Sequence, residues 1–169
     1  MTIEKALLNQ LNEIFEIFRE CKHSMEKENI FQWTEHYPTI NHISDDIKNG
    51  YLFSLNNGGK NLGVINISTI EEPEYETVHW LDKNGKCLVI HRLTVHPKNQ
   101  KGGLARKLMD FAENFAAENS YTSIRLDAYS GNQRVLRFYE SRGYQKTSEV
   151  NFTGRSLPFY CYELDITKL

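Results

Sequence analysis

The segment HRLTVHPKNQKGGLARKLMDFAE, residues His91–Glu113, decides how this chain folds and what it could bind. A strand-like run ends before Pro97, a basic loop follows, and from Leu104 apolar residues recur at helical spacing. A helix that begins in such a loop exposes unpaired N–H groups and the positive end of its dipole, which attract anions. Gly102 and Gly103 would let a ligand approach that backbone closely. The corner could bind a phosphate, bind a nucleic acid, or be a tight turn with solvated lysines.

The charge pattern favours a small anionic ligand at this corner. Between Lys83 and Met109 the sequence has no Asp or Glu, whereas the chain as a whole has a formal net charge of −2. Nucleic-acid binding usually requires a basic face or a dense basic stripe, so the overall charge argues against it. The basic residues of this stretch are Lys83, Lys86, Arg92, Lys98, Lys101, Arg106 and Lys107.

The composition predicts one folded domain over residues 1–169, with 40% hydrophobic and 25% charged residues. The cysteines, Cys21, Cys87 and Cys161, are far apart and form no CxxC or Cys/His cluster. We therefore expect reduced thiols, no disulfide framework and no metal. The first residues do not resemble a signal peptide, and no apolar run approaches the roughly 20 residues that span a bilayer. A cytoplasmic protein without membrane contact is the expectation.

Periodicity predicts a mixed α/β (α+β) architecture, with a central sheet of about six or seven strands and helices on both faces. The turn NNGGKN indicates a hairpin, and the run CLVI indicates a central strand. The predicted strands cover residues 2–6, 51–55, 62–69, 87–95, 124–128, 144–151 and 159–166. The predicted helices cover residues 8–28, 40–48, 104–116 and 132–142.

Two sequence patterns together are more specific than either alone. Residues 100–105, QKGGLA, follow the pattern Q-x-x-G-x-A, whereas the P-loop and the dinucleotide-binding fingerprint are both missing. Residues 132–144, NQRVLRFYESRGY, then place an Asn at a helix start and a Tyr shortly before a Gly-aromatic pair. This combination resembles the GNAT superfamily of acyl-CoA-dependent N-acyltransferases. Val135 is a mild departure, since a small residue is more usual there.

The resemblance, strongest over residues 87–144, implies a single GNAT-like domain that uses acetyl-CoA as cosubstrate and no metal. It implies that strand backbone pairs with the pantetheine arm, that the loop holds the pyrophosphate, and that Asn132 and Tyr139 contact the donor. The implied donor-binding residues are Leu93, Thr94, Val95, Gln100, Lys101, Gly102, Gly103, Leu104, Ala105, Asn132 and Tyr139. From the residues alone, Asn132 could simply cap its helix, and Tyr139 could be a core residue.

The implied chemistry is direct attack of a neutral amine on the thioester, with Tyr139 as the family-equivalent proton donor to the leaving thiolate. With reference pKa values of about 10 and about 8.5, that transfer is uphill by roughly 2 kcal/mol. Tyr139 would therefore act mainly as a hydrogen-bond donor, unless its pKa is lowered locally. His91 is the candidate base, with a water relay or a purely structural His91 as the alternatives. Glu71, Glu72 and His79 are weaker candidates.

Trp33 and Tyr37 are predicted to line the acceptor site, or else to be ordinary aromatic packing. The resulting hypothesis is an N-acetyltransferase acting on a small-molecule or peptide amine, without nucleic-acid or membrane partners. The alternatives are a non-catalytic acetyl-CoA sensor and a nucleotide-phosphate binder. The sequence does not identify the amine, does not exclude a longer acyl group, and does not decide between a monomer and a homodimer.

Overall fold

A computed structural model describes residues 1–168, and over these residues the chain forms a seven-stranded mixed sheet and four α-helices. The strands are β1 Thr2–Lys5, β2 Leu52–Asn57, β3 Lys60–Ser68, β4 Cys87–Val95, β5 Ser123–Tyr129, β6 Gln145–Val150 and β7 Phe159–Asp165. The helices are α1 Leu11–Lys27, α2 Ile40–Lys48, α3 Leu104–Glu118 and α4 Gln133–Ser141. Among these described residues, no helix combines the length and apolar character needed to cross a membrane.

The predicted fold class is confirmed, and most element boundaries lie within a few residues of those predicted. Helix α2 and strand β4 have the predicted bounds, whereas the first helix begins later because Leu8–Gln10 forms a 3-10 turn. The strand order is β1-β2-β3-β4-β5-β7-β6, so the last strand lies between β5 and β6. Hydrophobic periodicity specifies a strand but not its neighbours, and this insertion was therefore not predicted.

The chain forms two compact units, the first of which comprises residues 1–67 and 91–112. In this unit β1 pairs antiparallel with β2, and β2 pairs antiparallel with β3 through the predicted hairpin. Its core forms because the apolar residues of α1 and α2 recur every three or four positions and bury one face. Buried members of this core include Ile14, Phe18, Trp33, Ile43 and Leu52.

Arg92 interrupts the regular course of β4 in this unit. Its φ is +50°, a left-handed conformation that L-residues other than glycine adopt at a cost of about 1–2 kcal/mol. The guanidinium Nε and Nη2 donate to the two carboxylate oxygens of Asp46 at 2.7 and 2.6 Å, and Nη1 donates to the Tyr37 hydroxyl at 2.6 Å. Asp46 is only 7% exposed, so this bidentate ion pair compensates a buried charge. The side-chain contacts therefore hold an otherwise unfavourable backbone conformation in place.

The second unit comprises residues 68–90 and 113–169, of which the structure describes those up to 168. Here Cys87–Val89 of β4 pairs in parallel with Ser123–Arg125 of β5. Strand β7 pairs antiparallel with both β5 and β6. Every residue of β5 except Asp127 is buried.

Among the buried tyrosines of the second unit, four have a raised pKa, namely Tyr75, Tyr139, Tyr144 and Tyr162. Burial raises the pKa of each phenol above its ordinary value, because a phenolate would lose its hydration. Nearby carboxylates add to the shift, for example Asp127 beside Tyr75 and Glu140 beside Tyr162. These phenols therefore remain protonated as long as the unit stays folded.

We expect Arg92→Ala to destabilise the protein by about 3–5 kcal/mol, because it leaves the buried Asp46 carboxylate unpaired. Arg92→Gly removes the same ion pair, but glycine tolerates the positive φ. The free energy of unfolding should therefore fall by up to about 1 kcal/mol less in this variant than in Arg92→Ala. Urea unfolding of the two variants measures this difference, with Arg19→Ala on the exposed face of α1 as a control. Equal stabilities of the alanine and glycine variants would contradict a strained backbone at this position.

We also expect stability to fall steeply above about pH 10, the pKa of an exposed phenol. A folded-state pKa raised above the unfolded value contributes stability that is complete below the unfolded pKa and is lost as the pH rises. Urea midpoints across the alkaline range, together with tyrosinate ultraviolet absorbance, test this. Absorbance from the buried tyrosines should rise with unfolding and not ahead of it.

Candidate functional site

The loop between β4 and α3 is shaped by its own backbone contacts. Residues Pro97–Asn99 form a 3-10 turn in which His96 Nδ1 accepts a hydrogen bond from the Lys98 N–H at 3.2 Å. The Asn99 N–H donates to the His96 carbonyl at 2.8 Å. After this turn the chain adopts positive φ at Lys101 (68°) and at Gly103 (76°). The chain then enters the first turn of α3 directly after Gly103.

The backbone at the two glycines is open. A Cβ added at Gly103 would meet no atom within 4 Å, and one added at Gly102 would first meet the Asn99 carbonyl oxygen at 3.5 Å. Residues Gln100–Gly103 are all exposed. The first intrahelical bond of α3 runs from the Lys107 N–H to the Gly103 carbonyl at 3.1 Å. The N–H groups that open the helix therefore border an accessible surface, as an anion site requires.

Positive side chains surround this helix start. Lys98, Lys101, Arg106 and Lys107 are exposed. Together with the helix dipole they provide a field that favours a multiply charged anion such as a diphosphate. Four of the seven basic residues in this stretch of the sequence thus lie at the predicted loop, whereas Arg92 is in the buried ion pair with Asp46.

The side chain of Gln100 points to the end of β4. Its Nε2 donates to the Val95 carbonyl at 3.0 Å, and Cys21 Sγ donates to the same carbonyl at 3.1 Å. Because a carbonyl oxygen has two lone pairs, these two donors satisfy the Val95 carbonyl. Gln100 therefore fastens the loop to the strand, and its own part in donor binding stays a prediction.

Strand β4 presents Leu93, Thr94 and Val95 immediately after the irregular Arg92. Leu93 is partly exposed, whereas Thr94 and Val95 are buried. The positive φ of Arg92 breaks the two-residue alternation that placed His91 on the side of Leu93 and Val95. The argument from alternation therefore does not hold across Arg92, and a role of His91 as base stays untested.

The two aromatic residues predicted to line the acceptor site have different surroundings. Trp33 is buried in the core of the first unit, with its ring 5.4 Å from that of Phe18. Trp33 also lines a surface cavity of about 340 Å³, together with Lys22 and Glu35. Tyr37 instead accepts the hydrogen bond from Arg92. The structure thus places Tyr37 beside the predicted pantetheine strand and Trp33 in the core.

The second unit contains Asn132 and Tyr139. Asn132 is 2% exposed, and its Oδ1 accepts from the Val135 N–H at 3.4 Å, so it does cap α4. Tyr139 is 6% exposed and packs against Tyr144 and Tyr162, with ring centroids 5.7 and 6.3 Å apart. The cap at Asn132 and the core packing of Tyr139, the structural alternatives considered for these residues, are therefore both present.

The pKa of Tyr139 is raised, first by burial and then by the charge of Asp127, and Arg142 opposes the shift. Of the two possibilities left by the sequence, this direction favours hydrogen-bond donation over a locally lowered pKa. A phenol with a raised pKa is a poor source of a transferred proton, but it can donate a hydrogen bond at any working pH. Tyr139 fits that second role.

The cysteines do not form a nucleophilic site. Cys21 and Cys161 are buried, and burial raises the pKa of each thiol to about 12. Cys87 is partly exposed, and its pKa is also raised, chiefly by burial. Thiols held protonated are poor nucleophiles. Within residues 1–168 no group of three or more His, Cys, Asp and Glu side chains is placed to hold a metal ion.

Sequence reasoning missed the Arg92–Asp46–Tyr37 cluster. One signal was available, since Asp46 lies on the apolar face of α2 that also carries Ile43 and Ile47. A carboxylate on a buried face needs a cationic partner, although the sequence does not name that partner.

Solved structures of the same fold come from several microorganisms. A GNAT-family acetyltransferase from Streptococcus agalactiae is 24% identical, with a TM-score of 0.84 over 97% of this chain and 94% of that one. One from Listeria monocytogenes is 20% identical, with a TM-score of 0.77 over 97% and 94%. Ard1 from Thermoplasma volcanium is 19% identical, with a TM-score of 0.73 over 97% and 96%. At these identities the likeness shows the fold alone. Among curated proteins no sequence matches significantly.

The sequence itself establishes the family. The model of the acetyltransferase (GNAT) family matches residues 11–144, which include the Q-x-x-G-x-A loop and end at Tyr144, the aromatic residue after Gly143. Together with the seven-stranded sheet and the open helix start, this match identifies the chain as a member of the GNAT acetyltransferase family.

Proposed function

We propose that the protein is an N-acetyltransferase that moves the acetyl group of acetyl-CoA to a primary amine of a small molecule or peptide. The observation that carries this proposal is the exposed start of α3, where open N–H groups, Gly103 and basic side chains converge. A diphosphate fits this corner because the site offers several donors and a positive field without a side chain at Gly103.

In the proposed reaction the neutral amine nitrogen attacks the thioester carbon. The C–N bond forms, the carbonyl becomes an oxyanion, and collapse breaks the C–S bond to release coenzyme A thiolate. The amine loses one proton to a base, either His91 or a water relay, and the thiolate takes up one proton. A fixed N–H donor on the oxyanion could be worth about 3 kcal/mol, and the backbone of Leu93–Val95 is the proposed source.

Tyr139 is proposed to donate a hydrogen bond to the sulfur as negative charge develops on it. Its burial supports this role, because a hydrogen bond to a developing charge is stronger in a site from which water is excluded. The contribution does not require that the phenol release its proton.

Gly103→Glu should weaken the affinity for coenzyme A by about 10-fold or more, because it adds a carboxylate beside the proposed diphosphate and a side chain where φ is +76°. Isothermal titration calorimetry with coenzyme A measures the change. Gly58→Glu in the β2–β3 hairpin is a matched control, since that glycine also has positive φ (59°) and open space around it. Unchanged affinity in the Gly103 variant would contradict the loop assignment.

Tyr139→Phe should lower kcat by about 10²-fold without changing donor affinity. Because burial raises the pKa of Tyr139, the wild-type and variant pH–rate profiles should run parallel through the neutral and mildly alkaline range. Both profiles are obtained by testing a library of amines as acceptors and measuring the released coenzyme A by chromatography. If the wild type binds acetyl-CoA but no amine stimulates the release of coenzyme A, the result supports a non-catalytic sensor and not an enzyme. An unaltered rate in the variant would remove Tyr139 from the mechanism.

A further inference from the structure

Helix α2 begins with a cap in which a histidine takes the place that glutamate or glutamine usually occupies. The cap residue is Thr39, and the side chain of the third helical residue, His42, reaches back to it. The Thr39 N–H donates to His42 Nδ1 at 2.9 Å, and Thr39 Oγ1 lies 2.8 Å from the same nitrogen. In the common capping box a carboxylate or an amide makes this return contact. A histidine in that place makes the cap sensitive to mild acid.

The hydrogen bond from Thr39 requires a neutral His42. A backbone N–H can only donate, so Nδ1 must accept with its single lone pair, and the proton of the neutral ring must lie on Nε2. A second proton would occupy Nδ1 and remove the acceptor. A cationic ring in the first turn is also disfavoured by the positive end of the helix dipole. Protonation of His42 therefore breaks its hydrogen bond with the Thr39 N–H.

Two acidic side chains of α2 lie about one turn beyond His42. Asp46 is bound by the Arg92 guanidinium at both carboxylate oxygens, so its charge is neutralised within that ion pair. Asp45 is exposed, and an exposed pair of opposite charges three residues apart on a helix contributes little. Neither carboxylate therefore provides a strong reason for the imidazole ring to stay charged.

The elements packed against α2 add little net charge near His42. Arg19 and Lys22 of α1 line a cavity to which Thr39 also belongs, and both are paired with glutamates. Strand β2 and the 3-10 turn Leu8–Gln10 also pack against α2, and neither segment contains a charged residue. The lost hydrogen bond and the helix dipole therefore dominate the response of His42 to acid.

His42 also contacts the residue that links α2 to β4. Its ring packs edge-on against the Tyr37 ring, with the centroids 5.1 Å apart. The Tyr37 hydroxyl accepts from Arg92 Nη1 at 2.6 Å, and the Thr34 N–H donates to the Tyr37 carbonyl at 2.9 Å. Of these three contacts, the one with His42 involves a group that ordinarily changes charge between about pH 5 and pH 8. The position of Tyr37 beside β4 is therefore coupled to the charge of His42.

We propose that His42 is a pH-sensitive positioning residue for the acceptor site. In its neutral form it caps α2 and holds Tyr37 in place beside β4. In its protonated form it releases the cap and the ring contact, and the amine then binds less tightly. The pH-sensitive cap rests on the geometry of Thr39 and His42 alone. Its effect on the amine rests on the proposed acetyltransferase activity, with Tyr37 lining the acceptor site.

Urea unfolding tests the cap. Because protonation of His42 breaks a contact of the folded state, stability should be lost as the pH falls. Between about pH 7.5 and about pH 5.5, the unfolding equilibrium constant of the wild type should rise about 5-fold more than that of His42→Gln, as expected for the loss of one helix cap. Glutamine makes the same return contact in capping boxes and does not titrate. His42→Ala, which has no cap at any pH, should already be destabilised by about the same factor at neutral pH.

His23→Gln is the matched control, since His23 is an exposed histidine on α1. This variant should keep the pH dependence of the wild type. The same pH dependence in wild type and His42→Gln would overturn the proposal. A His42→Ala protein as stable as the wild type at neutral pH would overturn it as well.

Steady-state kinetics test the effect on the acceptor. Over the same pH interval, KM for the amine should rise more in the wild type than in His42→Gln, whereas kcat and the affinity for coenzyme A should follow the same course in both proteins. Protonation of the amine itself affects both proteins equally and cancels in this comparison. A general defect in the fold would instead lower kcat and coenzyme A affinity together.

The two measurements separate this inference from the proposed function. If KM for the amine follows the same pH course in wild type and His42→Gln, the positioning role is overturned while the acetyltransferase remains intact. If no amine is acetylated, the acetyltransferase proposal fails. The urea comparison then supports or refutes His42 as the pH-sensitive cap without any need for turnover.

Discussion

The backbone N–H groups at the start of α3 have no carbonyls within the helix to bind, and this constraint organises the first unit of the protein. Gly103 keeps the approach to them open, and the surrounding lysines and arginine make the same point electropositive. Gln100 and Cys21 secure the end of β4 through the Val95 carbonyl, so that the loop begins from a fixed position. The stability of this corner therefore comes from contacts on its inner side, and its outer side remains available for an anion.

Charge is handled differently in the two units. In the first unit, Arg92 and Asp46 neutralise each other in a buried bidentate pair, which fixes an unusual backbone conformation in β4. In the second unit, Arg125 is shared between Glu71 and Glu163, while Asp127 keeps part of its surface exposed. The first arrangement is self-contained and structural. The second joins two carboxylates through one guanidinium.

Periodicity and turn residues predicted the helices and strands well, because the formation of a helix, strand or turn depends mainly on residues that are close in sequence. The Q-x-x-G-x-A loop, the strand Cys87–Val95 and the helix stop at Gly143 were all readable in this way. The insertion of β7 between β5 and β6 and the ion pair of Arg92 with Asp46 depend on residues far apart in sequence, which no local pattern specifies. The same limit applies to the raised pKa of Tyr139, since it arises from burial and from Asp127. The hydrogen bond from Tyr75 to Asp127 has the same origin, since Tyr75 lies in the 3-10 turn Pro73–Thr77, far from β5 in sequence.

The deep placement of Cys21 and Cys161 has a practical consequence for enzymology. Chromogenic disulfide reagents react with thiolates, and both side chains resist ionisation because they are shielded from water. Such a reagent added to a working reaction would therefore report mainly the liberated pantetheine thiol, with Cys87 as the source of a slow background. Replacing Cys87 by serine would suppress that background and leave the two shielded sulfurs in place.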